Sequence, residues 1–332
     1  VDLPTYVGTL REDLRRGGEG VMSQLREVAA TLCPTLDRLD APTRTVLQCA
    51  ALLGPDAIAL PWLRALAGAR HPELATAAAT GQSDPWTQLI RSLLGMRLLQ
   101  SSPEPRVVTV HRILQRVLET ALRECRSEIE EAVFTLVRER DAALGKETHW
   151  EEARWEIEPL EALAWVWAKP VPATPGSPAE STPPIHLRAA WLLSQVGLRR
   201  HTLAEWSLAE PLMRRALAIA EASFGQDDPN VARGLNSLAQ LLQATNRLDE
   251  AEPLYRRALA IFKASFDQDH PNVAASLNSL AQLLQDTNRL DEAEPLFRRA
   301  LAIAEASLGR EHPTVATQLN NLARLLQDTD RL

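Results

Sequence analysis

A block of sequence that returns every 42 residues constrains this chain more than any other feature. Pro229-Asn230-Val231-Ala232 comes back as Pro271-Asn272-Val273-Ala274 and again as Pro313-Thr314-Val315-Ala316. Residues 229–266 and 271–308 are identical at 31 of 38 positions. One copy of so short a unit cannot bury its own apolar face. The copies are therefore expected to stack, each closing the core of its neighbour.

Each copy reads as a helical hairpin. In the first helix Leu235, Leu238, Ala239 and Leu242 follow the i, i+3, i+4, i+7 pattern of one buried face. Pro229 suits a first helical turn, and Asp228 before it suits an N-cap. Asn246-Arg247 interrupts the pattern, and Asp249-x-x-Glu252 reads as the start signal of a second helix. That helix buries Ala251, Leu254, Tyr255, Ala258 and Leu259, with small residues at 239, 251 and 258 for close backbone approach. A degenerate earlier copy is expected over residues 187–219. It keeps a small residue as Gly197 but carries Ser194 where later copies have Asn. The sequence stops part-way through a unit, so about 3.5 repeats are read here and further ones are expected beyond Leu332.

The face of the first helices opposite the core carries Arg233, Asn236, Gln240 and Gln243. The same register gives Asn278, Gln282 and Gln285, then Asn320, Arg324 and Gln327. Amides donate and accept, so stacked rows of them can bond the backbone of an extended peptide whatever its sequence. Positions that differ between copies, Arg233/Ala275/Thr317 and Ala244/Asp286/Asp328, would then set specificity. Glu210, Glu252 and Glu294 precede Arg214, Arg256 and Arg298 by one helical turn and are expected to pair with them.

The large residue at 235, the small ones at 239, 251 and 258 and the aromatic at 255 resemble the tetratricopeptide (TPR) consensus, on a 42-residue rather than the usual 34-residue period. The wording "HPxVAxxLNxLAxLL…LDEAEPLxRRALAI" is similar to the repeats of kinesin light chain and its bacterial relatives. That resemblance implies an α-solenoid whose groove takes extended peptides through Asn236, Asn278 and Asn320.

Ahead of the repeats the chain divides further. Residues 1–36 read as helical, broken at Gly17-Gly18-Glu19-Gly20. Residues 37–122 give helices over 43–53, 60–67 and 85–94. A hairpin of 97–100 with 107–110 follows around a Pro/Ser turn, and then a helix from Arg112 toward Arg140. Three helices, a hairpin and a helix is the order of a winged helix. Arg91, Arg97 and Arg106 make a thin electrostatic footprint for DNA phosphates, and the net charge of −7 argues against broad nucleic-acid or membrane binding. Residues 123–168 form a helical arm with Trp150, Trp155, Trp165 and Trp167, read as core aromatics. Residues 169–184 carry six prolines and read as a linker before the repeats at 185–332.

The stretches "LLGPDAIALPWLRAL", "LIRSLLGMRLLQ" and "VVTVHRILQRVL" resemble the winged helix of STAND signal-transduction ATPases (the NACHT and NB-ARC class). "DLPTYVGTLREDLRRG" is similar to the end of their nucleotide-binding module, and "HWEEARWEIEPLEALAWV" to their arm. The resemblance implies that His111 holds the position that reaches the β-phosphate of ADP in the resting state. The acid that follows this His in the family is Arg112 here. No Walker A loop occurs in the 332 residues, so no catalysis and no cofactor are expected of this chain itself. ADP or ATP with Mg belongs to the full-length protein. Three widely spaced cysteines imply neither a disulfide framework nor a metal site.

The fold class expected is therefore mainly all-α, with a winged helix and small hairpin, a helical arm, and a TPR solenoid. The function expected is that of an autoinhibited sensor whose groove binds a peptide, protein or small-molecule inducer. It would contact its own arm at rest and self-associate on activation. No stretch reads as a signal peptide or a membrane span, so a cytoplasmic location is expected. The alternative is a TPR interaction scaffold whose winged helix is structural or contacts DNA.

Overall fold

The computed structural model describes residues 36, 38–75, 84–112, 114, 115, 118, 126–144, 154–168 and 184–328. Packing divides the chain into two compact units, Val1–Val166 and Trp167–Leu332. The helical tail expected over 1–36 (apart from Leu36), Trp150 and nearly all of the linker fall outside the described residues.

The first unit runs α1 (Ala41–Leu52), β1 (Ile58–Ala59), α2 (Leu60–Gly68), α3 (Pro72–Ala75), α4 (Pro85–Gly95), β2 (Gln100–Ser101) and β3 (Val107–Thr109). A helix starts at Arg112, and α5 (Arg126–Leu144) and α6 (Ile157–Trp167) follow. Asp40 starts α1 by accepting the Thr43 N–H at 2.9 Å. The expected hairpin forms, in the register Gln100 opposite Thr109 and Ser101 opposite Val108. Its first strand begins three residues later than expected because Arg97 turns with φ of 58°. Ile58–Ala59, which sequence alone did not mark as a strand, adds antiparallel to β3 and makes the sheet order β1-β3-β2. Ile58, Ala59, Val107 and Val108 are all buried.

Two contacts hold α6 in this unit. Buried Glu156 accepts from the Trp62 indole at 3.1 Å and pairs with Arg140. A Cβ at Gly54 would lie 2.6 Å from the Ala162 backbone, so that close approach admits only glycine. The tryptophans here are less uniformly core than expected. Trp155 lies beneath the Arg106 guanidinium at 4.6 Å, and Trp165 is exposed.

The second unit consists of paired helices: α7 (Ile185–Thr202) with α8 (Trp206–Phe224), α9 (Pro229–Ala244) with α10 (Leu248–Ser265), and α11 (Pro271–Asp286) with α12 (Leu290–Leu308). A further first-type helix, α13 (Pro313–Asp328), packs on α12. Asp228 caps α9 by accepting the Asn230 N–H at 2.7 Å. In α11 and α13 the capping atom is instead Nδ1 of His270 and of His312, a role sequence reading missed. Asn246 and Asn288 close the first helices in the left-handed region, each with φ of 59°. There the Arg247 N–H reaches back to the Leu242 carbonyl at 2.8 Å, as in a Schellman motif. Asp249 does not start its helix. α10 begins one residue earlier without a side-chain cap, and Glu252 makes ion pairs instead.

Leu235, Leu238, Ala239, Leu242, Ala251, Tyr255, Ala258 and Leu259 form the core as expected, with Leu254 only partly buried. Val231, Leu241, Ile261 and Phe262 join them. The within-helix pairs Glu210–Arg214, Glu252–Arg256 and Glu294–Arg298 all form. The same acids also reach across repeats, Arg247 to Glu210 and Arg289 to Glu252, each at 2.8 Å. Burial pushes the Glu210 carboxyl up, but Arg214 and Arg247 outweigh it and hold it below the ordinary value.

Stacking decides burial here. Leu235, Leu277 and Leu319 occupy equivalent positions and are 0%, 2% and 46% exposed, because no described helix covers α13 on that side. Leu277→Ala should therefore cost about 2–5 kcal/mol in urea unfolding followed by circular dichroism. Leu319→Ala should stay within about 0.5 kcal/mol. Equal costs would show that stacking is not the source of the stability.

His201 replaces the glutamine found at 243 and 285, and its Nε2 is buried without a hydrogen-bond partner. Burial holds its imidazole below the ordinary value of 6.5. The folded state thus disfavours the proton. This contribution is complete above the unfolded pKa and is lost as pH falls from there through the folded value. His201→Gln should flatten the decline in urea midpoint between about pH 6.5 and 5. An unchanged slope would assign that acid sensitivity to other groups.

Candidate functional site

The apolar stripe of each first helix faces its partner helix, which leaves the polar stripe on the opposite side. Successive first helices lie next to one another, α7 to α9, α9 to α11 and α11 to α13. All ten residues read from the sequence on this face, Arg233 through Gln327, belong to α9, α11 and α13. Their hydrogen bonding is not what the sequence suggested.

Several amides bond across the repeats. The Asn236 amide donates to the Ser276 hydroxyl at 2.7 Å, leaving its Oδ1 buried without a partner. Asn278 accepts from Asn321 at 3.0 Å. Gln243 donates to Asp286 at 2.5 Å and accepts from the Tyr255 hydroxyl at 3.0 Å. Burial, reinforced by the Asp286 carboxylate, pushes the Tyr255 phenol up, which keeps that donor protonated. Gln285 accepts from Arg324 at 3.3 Å. These residues form rungs between repeats, so part of their capacity is spent on the solenoid.

The rest remain available. Gln240 and Asn320 are exposed, Gln282 is half-buried, and none of the three hydrogen-bonds another described side chain. Arg233 is exposed and, among the described residues, donates only to the Asn230 side chain, at 2.8 Å. Asp286, expected as a specificity position, accepts in one of the rungs.

A cavity of about 580 Å³ opens at the α7 end of this face. Arg233, Asn236 and Gln240 line it; Gln243, Asn278, Gln282, Gln285, Asn320 and Arg324 do not. Trp191, Leu198, Leu217 and Phe224 supply its apolar wall. Sequence reading missed these four. The available signal was that Trp191 and Leu198 stand in the columns that hold Arg233 and Gln240 one repeat later.

In the first unit His111 lies at the junction of β3 and the following helix, half-buried, with its carbonyl accepting the Gln115 N–H at 3.0 Å. Arg112 pairs with Asp56 at 2.7 Å. An imidazole at a helix start fits one contact to an anionic group. No described helix is long and apolar enough to cross a membrane.

Against this geometry, the tetratricopeptide-repeat family profile matches residues 188–264, 235–306 and 272–332. Comparison with curated proteins finds no match. Among solved structures, BtubC (BKLC) from P. vanneervenii is similar at 19% identity and a TM-score of 0.50, over 64% of this chain and 80% of that one. A putative kinesin light chain of Podosopora anserina with nearly identical TPR-like repeats is similar at 20% identity and a TM-score of 0.48, over 60% of this chain and 88% of that one. With helix pairs on a 42-residue period and a profile match to the same residues, the part of the chain from 188 to 332 is a tetratricopeptide-repeat domain.

Proposed function

We propose that the repeats bind an extended peptide or protein segment along the face of their first helices. The observation that carries this reading is the set of amides left outside the rungs, one on each of three adjacent helices: Gln240 on α9, Gln282 at the same position of α11, and Asn320 one turn earlier on α13. An extended chain laid across those helices meets a donor–acceptor pair at each repeat, while Arg233, Ala275 and Thr317 vary beneath its side chains. The rungs hold the row in place.

Within a larger protein, this module serves as the sensor of a STAND-type signalling ATPase. On this reading residues 37–122 are its winged helix, 123–168 its arm and 169–184 the linker. His111 would donate an imidazole N–H to the β-phosphate of ADP held by an adjoining nucleotide-binding module. ADP, ATP and Mg act in that module and supply the switch. The sensor biases it by binding inducer unequally in an inhibited monomer, with the arm against the repeats, and in a self-associating form. A cytoplasmic setting goes with this reading. The Arg112–Asp56 ion pair favours a second reading, a plain interaction scaffold, because a base stands where the switch class has an acid.

The test of the shared element is a peptide selected from a random library against the full chain. Gln282→Ala with Asn320→Ala should weaken it about tenfold or more, with an unchanged thermal midpoint. These side chains serve no rung, so fold and binding separate. Undiminished affinity would remove the amide row from the function.

A further inference from the structure

We propose that the cavity between α7, α8 and α9 is a binding site for a small amphipathic carboxylate: one acid group on an aromatic or branched aliphatic body. It stands apart from the peptide reading, although Arg233 and Gln240 belong to both.

The cavity exists because the repeats differ there. In the column Gly234/Ser276/Gln318 the glycine leaves open the space above Leu217, whose Cδ1 would lie 3.2 Å from a Cβ at 234. One repeat later Ser276 is fully buried and holds Asn236. The α7 side departs in the apolar direction. Trp191 replaces the arginine column and Leu198 the glutamine column, and Phe224 closes the wall while remaining 42% exposed. An aromatic of that size left open to solvent beside an indole and two leucines makes a wall for an apolar body. The volume of about 580 Å³ lies in the ordinary range for small-molecule sites.

Charge selects the head group. Among the described residues Arg233 is the one charged side chain in the lining, and no Asp or Glu lines the cavity. On the second helices Arg214, Arg256, Arg257, Arg298 and Arg299 are ion-paired, and Arg215 donates to the Ala168 carbonyl. Arg233 has only a neutral amide, Asn230, and no carboxylate within ion-pair distance among the described residues. A planar guanidinium at the rim of an apolar cavity takes a carboxylate in paired hydrogen bonds. A peptide backbone finds less here, since the Asn236 amide is already given to Ser276.

The test is calorimetric titration of the full chain with naphthalene-1-acetate and with the uncharged naphthalene-1-acetamide. The acid should bind at one site and more tightly than the amide. Arg233→Gln should weaken the acid about tenfold while moving the amide by no more than about twofold. Gly234→Gln, which installs the side chain found at 318, should abolish both. Should that variant fail to fold, Gly234→Ser, matching residue 276, takes its place and should weaken both. Equal affinity for acid and amide, or an acid affinity indifferent to Arg233→Gln, would overturn the proposal. So would a site that survives filling at 234. Absence of binding by either compound in a chain that still binds a library-selected peptide would overturn it too, and would leave the cavity as a subsite of the peptide groove.

Discussion

The interaction on which the rest of the second unit depends is the burial of one repeat's first-helix leucines by the next helix along. Nothing within a single hairpin can cover both sides of α9 or α11. Leu235 and Leu277 reach the interior only because a neighbour lies over them, and Leu319, the same residue on the same kind of helix, stays open on α13. Position in the stack, not residue type, sets its environment. The polar face follows from this, because once the apolar stripe is committed inward, the amides have no other direction to take.

Two sets of polar contacts then fix how far successive repeats slide on one another. On the groove side the rungs Asn236–Ser276, Asn278–Asn321 and Gln243–Asp286 join first helix to first helix. Just before the second helices Arg247 and Arg289 each bridge the acid of the preceding repeat and an acid of their own. Each exposed ion pair contributes about 1 kcal/mol or less. Their effect is one of register: the hydrophobic contact allows sliding, while a hydrogen bond of fixed length does not.

The helical pairs, their boundaries and their core were legible in the sequence because the 3.6-residue period repeats nearly unchanged from copy to copy. So were Asp228 as a cap and the within-helix pairs of Glu252 and Arg256, which need only local spacing. What could not be read was anything decided between copies. The second partner of Glu252 lies 37 residues away at Arg289. Ser276 as the partner of Asn236, and histidine Nδ1 as a helix cap, need coordinates. The cavity escaped because it arises from substitutions in three columns at once, Trp191, Leu198 and Gly234, each unremarkable alone. In the first unit Ile58–Ala59 is too short to show an alternating pattern, and only pairing with Val107 and Val108 makes it a strand.

The likeness of residues 229–266 to 271–308 has a kinetic side. A chain that has formed α9 and α11 can dock either one against a second helix such as α10 or α12 with almost the same apolar contacts, so slipped pairings compete with the native one during folding. The distinguishing information sits in the unequal copy. Gly197 admits Met213, whose Cγ would lie 2.8 Å from a Cβ there, and later copies put Ala239 and Ala281 opposite Tyr255 and Phe297. The α7–α8 pair is thus the place where the array can tell its own first position from its second, a key that aligns an otherwise self-similar thread.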